Sequence, residues 1–340
     1  MNMTVFRFFK RPATHAAARV KATAPSESSP LLATTRKRSR WQLFLQLPGL
    51  GILCGLSSGI FFATGSLVVA LLPGMNSMEL LVFRSLLQMA VYSCVIIYAR
   101  QSLLGVPGER RFLLFRAITG VISVNLIYYS FRLIPLADAS TISFSAPVFV
   151  SIFACVLLKE PCGVFDLGTV ITTMAGVVLI AKPSFLFGGD TGDFSSKDQI
   201  MGSIMAFCGC LSVSLSYISM RKLQKTHYSV IIMSFSLLAI FVNSIILTIV
   251  NGWSFPACGR DGWLLLLLGF TGIIGQFFVT ASLKLEDAGP ASIARAIDVV
   301  MAFIYQVAFL EESIEWTSIL GAVLVCSCVV LTGWRKWKRR

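Results

Sequence analysis

Residues 137–148 read Ala137-Asp-Ala-Ser-Thr-Ile142-Ser-Phe-Ser-Ala-Pro147-Val148; residues 288–299, 151 positions later, read Ala288-Gly-Pro-Ala-Ser-Ile293-Ala-Arg-Ala-Ile-Asp298-Val299. Ala, Ile and Val recur in register. Working outward, the same displacement lays Gly51 on Gly202, Asn125 on Gln276 and Glu160 on Glu311 with no gap. Residues 50–182 and 201–333 therefore read as two copies of one pattern. Each copy holds five long apolar segments, and five is odd. If every segment crosses a bilayer, the second copy enters from the opposite side and the repeats are inverted. That plan recurs in secondary transporters, which hold their ligand near the midplane between repeats.

Composition agrees with a membrane chain. Hydrophobic residues make up 56% and charged residues 13%, and mean hydropathy is +0.78; a soluble domain averages about 25% charged. The apolar runs fall near 48–71, 79–99, 112–131, 139–158, 166–182, 201–218, 228–250, 263–283, 289–309 and 316–334. Each is close to the roughly 20 residues a crossing helix needs. The expected fold is all-α and polytopic, ten transmembrane helices in two inverted five-helix repeats, because backbone groups in lipid must be satisfied within each segment. The expected division is a disordered basic tail (1–47), a first repeat (48–182), a loop (183–200), a second repeat (201–334) and a short basic tail (335–340).

The net charge of +13 is a topology signal rather than a nucleic-acid footprint. Of 29 Lys and Arg, nine lie in the N-terminal tail, five at the C-terminal end and eight in the even-numbered loops, all on one side. The odd-numbered loops carry only Arg132, Lys182, Lys197 and Arg260. The positive-inside rule then puts both termini in the cytosol. Nine cysteines, mostly inside helices, form no CxxC pair and no Cys/His cluster, so they read as packing residues, with neither structural zinc nor a disulfide framework. Glu27, Leu31 and Leu32 make an acidic-dileucine pattern for endolysosomal delivery, whereas Lys336 and Lys338 make a KxKxx retrieval pattern for the endoplasmic reticulum. Plasma membrane and endomembrane both stay open. Before Glu27 the tail lacks acidic residues, a faint likeness to an organelle transit peptide; a plain cytosolic tail is the better reading.

Three arginines, and one aspartate away from a span end, stand inside the spans. Arg295 and Asp298 share one face of the ninth helix after the Gly289-Pro290 break, with Tyr305 continuing the stripe. At 1.5 Å per residue Asp298 lies about 13 Å into a core about 30 Å thick. Intramembrane charges are costly and face a bundle interior or wet cavity, so the pair is a candidate substrate site, with a self-neutralising structural pair as the rival reading. Arg84 either joins that site or snorkels to the interface. Arg116, near the start of the third helix, is expected to snorkel. Asn125 and Gln276, matched in the two repeats, are candidates for a shared central site, with Tyr128 one turn from Asn125. Ser140, Thr141, Ser143 and Ser145 precede Pro147, whose missing N–H marks a broken helix or hinge, as does Pro290. Glu160 and Glu311 read as structural ends of helices four and nine. Gly51, Gly55 and Gly59 make a small-residue face for close packing. There is no GxxxxGK[ST], HExxH or GxSxG pattern, so neither ATP-driven transport nor hydrolysis has support; no enzyme and no cofactor are expected.

The run Arg116-Ala-Ile-Thr-Gly120, then Tyr128 through Pro147 to Phe149, Leu158-Lys-Glu160 and the glycine-containing fifth helix with Gly168 and Gly176, resembles the EamA repeat of the drug/metabolite transporter superfamily. It is most similar to solute carrier family 35, subfamily G. The resemblance covers about residues 48–334 and implies cytosolic termini, a central cavity shared by the repeats and alternating access. It also implies organic anions such as carboxylates as a substrate class. The second copy departs from the first in placing Arg295 and Asp298 where Phe144 and Pro147 stand. The reading is a secondary transporter of a small polar, anionic metabolite, with the bilayer as partner and a homodimer left open. Its rivals are a nucleotide-sugar transporter and a non-transporting regulator of a channel or pump.

Overall fold

The computed structural model describes residues 49–72, 74–134, 136–160, 163–181, 186, 196–250, 252–254, 259–309 and 316–338. Glu27, Leu31, Leu32 and Glu311 lie outside them. The helices are α1 (Leu50–Ala70), α2 (Ser77–Tyr98), α3 (Arg110–Leu133), α4 (Leu136–Phe144), α5 (Ala146–Phe153), α6 (Val164–Ala181), α7 (Ser196–Lys222), α8 (Tyr228–Ile249), α9 (Arg260–Leu285), α10 (Ala288–Arg295), α11 (Ile297–Phe309) and α12 (Trp316–Lys338). A π-helical turn, Ala154–Leu158, continues α5. Among the described residues no strand occurs. Among the described residues nine segments are long and apolar enough to cross a membrane, and Val164–Ile180 is a shorter apolar helix. The outer surface is apolar, with Val164 89% and Trp263 76% exposed, which in water would be an aggregation hazard and in lipid is the expected belt.

The two repeats interlock rather than sit side by side. First-repeat α1 packs along α9, α10 and α11 of the second; second-repeat α7 packs along α3, α4 and α5 of the first. The pairs α2–α8 and α6–α12 are their own mirror partners. Glycines set the closest approaches. A Cβ at Gly51 would meet Leu285 and Glu286, and one at its mirror residue Gly202 would meet Leu133 and Ile134.

Caps repeat as well. Asn76 Oδ1 accepts from the Met78 N–H at the start of α2, and His227 Nδ1, displaced by the same 151 residues, accepts from the Ser229 N–H at the start of α8. Only a neutral imidazole can accept. Burial and then the nearby Lys284 ammonium push the His227 pKa down to about 4, against about 6.5 in an unfolded chain. Between those values the unfolded state binds more protons, so acidification destabilises the fold. Lowering the pH from 7 to 5 should cut apparent thermal stability, and His227→Asn, which copies the Asn76 cap, should remove about 1 kcal/mol of that loss. Equal pH slopes for the two proteins in detergent would contradict this.

Both broken spans break at mirror positions. Around Ser145 the ladder switches to i→i−3 bonds, the Ser145 N–H donating to Ile142 O (3.2 Å) and the Val148 N–H to Ser145 O (3.0 Å). Around Ala296 the same pair recurs, Ala296 N–H to Ile293 O (3.0 Å) and Val299 N–H to Ala296 O (3.2 Å). The second copy has no proline there, so Pro147, at the second position of α5, accompanies the break and does not cause it. Pro290 stands in the first turn of α10, where an N–H has no helical partner anyway; the interruption lies six residues further on.

Three other expectations are corrected. Arg116 does not snorkel: it is 5% exposed and lies against Gly120 and the Phe235 ring. Cys155 is disulfide-bonded, not a free packing thiol. Glu160 is more than a helix end, because it joins the repeats on the face where α1 begins, termed the near face. Its Oε1 lies 3.0 Å from Arg221 Nε, its Oε2 accepts from the Ala288 N–H (2.9 Å), and Arg221 Nη2 is 2.8 Å from Asp287 Oδ1. The Ala288 contact puts a carboxylate on the N-terminus of α10, where the helix dipole favours it. Beside it, Glu109 accepts from the N–H groups of Lys225 and Thr226.

Candidate functional site

Arg295 is the last residue of α10 and Asp298 lies in the first turn of α11. Each charge therefore faces the helix end of opposite sign, the cation at a C-terminus and the anion at an N-terminus. This lowers the cost of holding both inside the bundle. Arg295 Nη2 is 3.4 Å from Asp298 Oδ2, longer than the 2.7–2.9 Å of a tight charge-assisted bond. Arg295 Nη1 donates to the Tyr217 hydroxyl, and its Nε is buried with no partner. Asp298 is 8% exposed, while the Arg295 side chain keeps 27% of its surface. Phe62 of α1, Tyr217 of α7 and Asp298 of α11 are its neighbours.

A second guanidinium joins it. The guanidinium carbons of Arg84 and Arg295 lie 5.2 and 4.7 Å from the centroid of one ring, Phe62, and so within about 10 Å of each other. The stem of Arg84 runs directly over Gly272, where a Cβ would be 2.3 Å from Arg84 Nε. Glycine at 272 is thus what lets Arg84 turn inward. Tyr128 lies within electrostatic reach of Arg84.

The other sequence candidates take different places. Asn125 Nδ2 donates to Val121 O in its own helix, leaving Oδ1 buried and unpartnered; the side-chain carbonyl of Gln276 is likewise buried without a partner. The mirrored amides thus each present a free acceptor. The Tyr305 hydroxyl lies 3.0 Å from Thr64 Oγ1, two turns along α11 from Asp298. Ser143 and Ser145 give their hydroxyls to carbonyls of α4, and Ser145 Oγ sits 3.3 Å from Cys210 Sγ. Lys338 Nζ lies 5.9 Å from the Trp334 ring at the end of α12, which also contains Lys336. Phe62 and Tyr217 were missed from sequence, since an aromatic in an apolar helix carries no signal of its own. The one clue was arithmetical: away from the span ends, three arginines stand against a single aspartate.

Among the described residues no cluster of His, Cys, Asp or Glu could hold a metal ion. The arrangement offers positive charge, aromatic faces and hydroxyls at mid-span, between mirrored halves. The sequence profile of the EamA-like transporter family matches residues 49–182 and again 200–334. The chain belongs to that family. Human solute carrier family 35 member G1 is 36% identical over 293 residues, covering 85% of this chain and 80% of that protein. The pseudopaline exporter CntI of Pseudomonas aeruginosa is 26% identical over 291 residues, 84% of this chain and 96% of the exporter. One crystal structure matches with a TM-score of 0.70 at 16% identity, covering 84% of this chain and 96% of that one, a likeness of fold. This is a multi-pass membrane protein of a transporter family.

Proposed function

We propose that the protein is a secondary transporter of a small anionic metabolite, an organic carboxylate being the leading class. The observation that carries this reading is the charge balance at Phe62: two guanidiniums share one ring, and among the described residues Asp298 is the one carboxylate in ion-pair contact with either. An anion entering that space meets two forked donors suited to carboxylate geometry, with the Tyr217 hydroxyl beside them. Asn125 and Gln276 add acceptors for substrate hydroxyl or amine groups, and Tyr128 shapes the Arg84 side. The mirrored breaks at Ser145 and Ala296 serve as hinges for alternating access. Both termini lie in the cytosol, which makes the near face the cytosolic one. The tail patterns at Glu27, Leu31, Leu32 and at Lys336, Lys338 act as addresses within the cell.

The relatives support a small-molecule cargo, one of them being named for export of pseudopaline. The test is uptake into liposomes holding the purified chain, with a panel of carboxylates, their neutral amides and nucleoside monophosphates. Saturable uptake of a carboxylate, unaffected by the amides, is the expected result. Inhibition by nucleoside monophosphates alone would replace this reading with a nucleotide-sugar carrier. Equal uptake of the amides would remove the anion preference altogether.

A further inference from the structure

Arg116 stands on α3 about 9 Å along its helix from the near face. It is 5% exposed, and its Nε and Nη1 are buried with no hydrogen-bond partner. Among the described residues no carboxylate lies within ion-pair distance of it. Its guanidinium carbon lies over a ring face, 5.0 Å from the Phe235 centroid. Gly120 has been cleared for it, since a Cβ there would sit 2.2 Å from Arg116 Nη1. The guanidinium also interacts electrostatically with Tyr217, whose hydroxyl is the one Arg295 holds.

Resting on the anion reading above, we infer that Arg116 is a second anion-binding position, for a carboxylate or phosphate group, beside Tyr217 on the α3–α8 wall. A cation–π contact recovers only part of the cost of a buried guanidinium, and methionine would fill the same space without that cost. Arg221 and Arg295 have carboxylate partners, as buried cations ordinarily do. Arg116 has the geometry of a cation waiting for its counter-ion: two guanidinium nitrogens without a partner, a ring to hold the plane, and a link through Tyr217 to the Arg295 position. In this conformation the place is closed.

A structural role and a binding role predict opposite changes of stability. In nanodiscs without added anion, Arg116→Met of the full chain should raise the apparent Tm or leave it unchanged. Uptake of the radiolabelled carboxylate should fall tenfold or more, and Arg116→Lys, which keeps the charge, should recover part of it. Two sources share the chemistry. If KM for the carboxylate rises, the position holds the transported molecule. If KM is kept and dependence of uptake on inorganic phosphate disappears, it holds a free anion. Either supports the inference. Uptake unchanged in Arg116→Met overturns it, and so does a fall of Tm together with uptake, which would make Arg116 structural. Arg295→Met separates the two proposals: if it too leaves uptake intact, the anion reading fails as well, whereas its loss beside an unaffected Arg116→Met defeats only this one.

Discussion

Replacing Arg295 with methionine should lower anion uptake at least a hundredfold and destabilise the protein by about 3–5 kcal/mol. The two losses have separate causes. Uptake falls because a guanidinium that reaches Tyr217, Phe62 and Asp298 at once has no substitute nearby. Stability falls because Asp298, 8% exposed, is left as a buried charge with no partner. A second change tells them apart. Arg295→Met with Asp298→Asn removes the orphan, so most of the stability should return while uptake stays lost. Thermal unfolding and liposome uptake measured on both variants check the two halves. Uptake within threefold of the parent in the single variant would remove Arg295 from the site.

Gly59→Leu should abolish uptake, and even Gly59→Ala should reduce it tenfold or more. Gly59 on α1 faces the break between α10 and α11. A Cβ there would lie 2.5 Å from Ile297 Cγ2, 2.9 Å from Arg295 O and 3.1 Å from Asp298 N. Two of those atoms are backbone, so they cannot swing aside as a side-chain tip would. The methyl must push α1 away from the segment that carries Arg295 and Asp298, which is overpacking at about 1–3 kcal/mol. Displacements near 1 Å at a binding group are enough to cost orders of magnitude in rate. Gly168→Ala is the control, since nothing lies within 4 Å of a Cβ there; relieving a helical glycine should stabilise by about 0.5–1 kcal/mol and leave uptake alone. A functional Gly59→Leu protein would mean that α1 does not seat the break.

The fold was legible because a period of 151 residues and an odd count of apolar runs leave one arrangement that satisfies every backbone group in lipid. The proximity of Arg295 and Asp298 was legible too, through their spacing of three. The location of the breaks was not fully so. Proline stands beside the first and is missing from the second; what both share is a neighbour at close range, Gly59 at one and its mirror residue Cys210 at the other. Arg116 was misjudged because depth along a helix says nothing about which side of it a long chain takes. Phe62 and Tyr217 became visible only when tertiary packing brought guanidiniums to their rings. Asn125 and Gln276 were found by symmetry, which gives a register but not a partner.

The join made by Glu160, Arg221 and Asp287 has no reflection. Displaced by 151 residues, Arg221 and Asp287 correspond to Ala70 and Leu136, neither of which can carry charge. The halves differ here, as they do at Arg295 and Asp298: this join belongs to the near mouth, whereas at the far face Glu79 Oε2 accepts from the N–H and the hydroxyl of Ser254. In the cycle proposed above, this join favours a pose shut on the near side. In that cycle, cargo from the near side must first undo two ion pairs, Glu160–Arg221 and Arg221–Asp287. Direction, in such a cycle, is set by three side chains at the mouth rather than by those around Phe62.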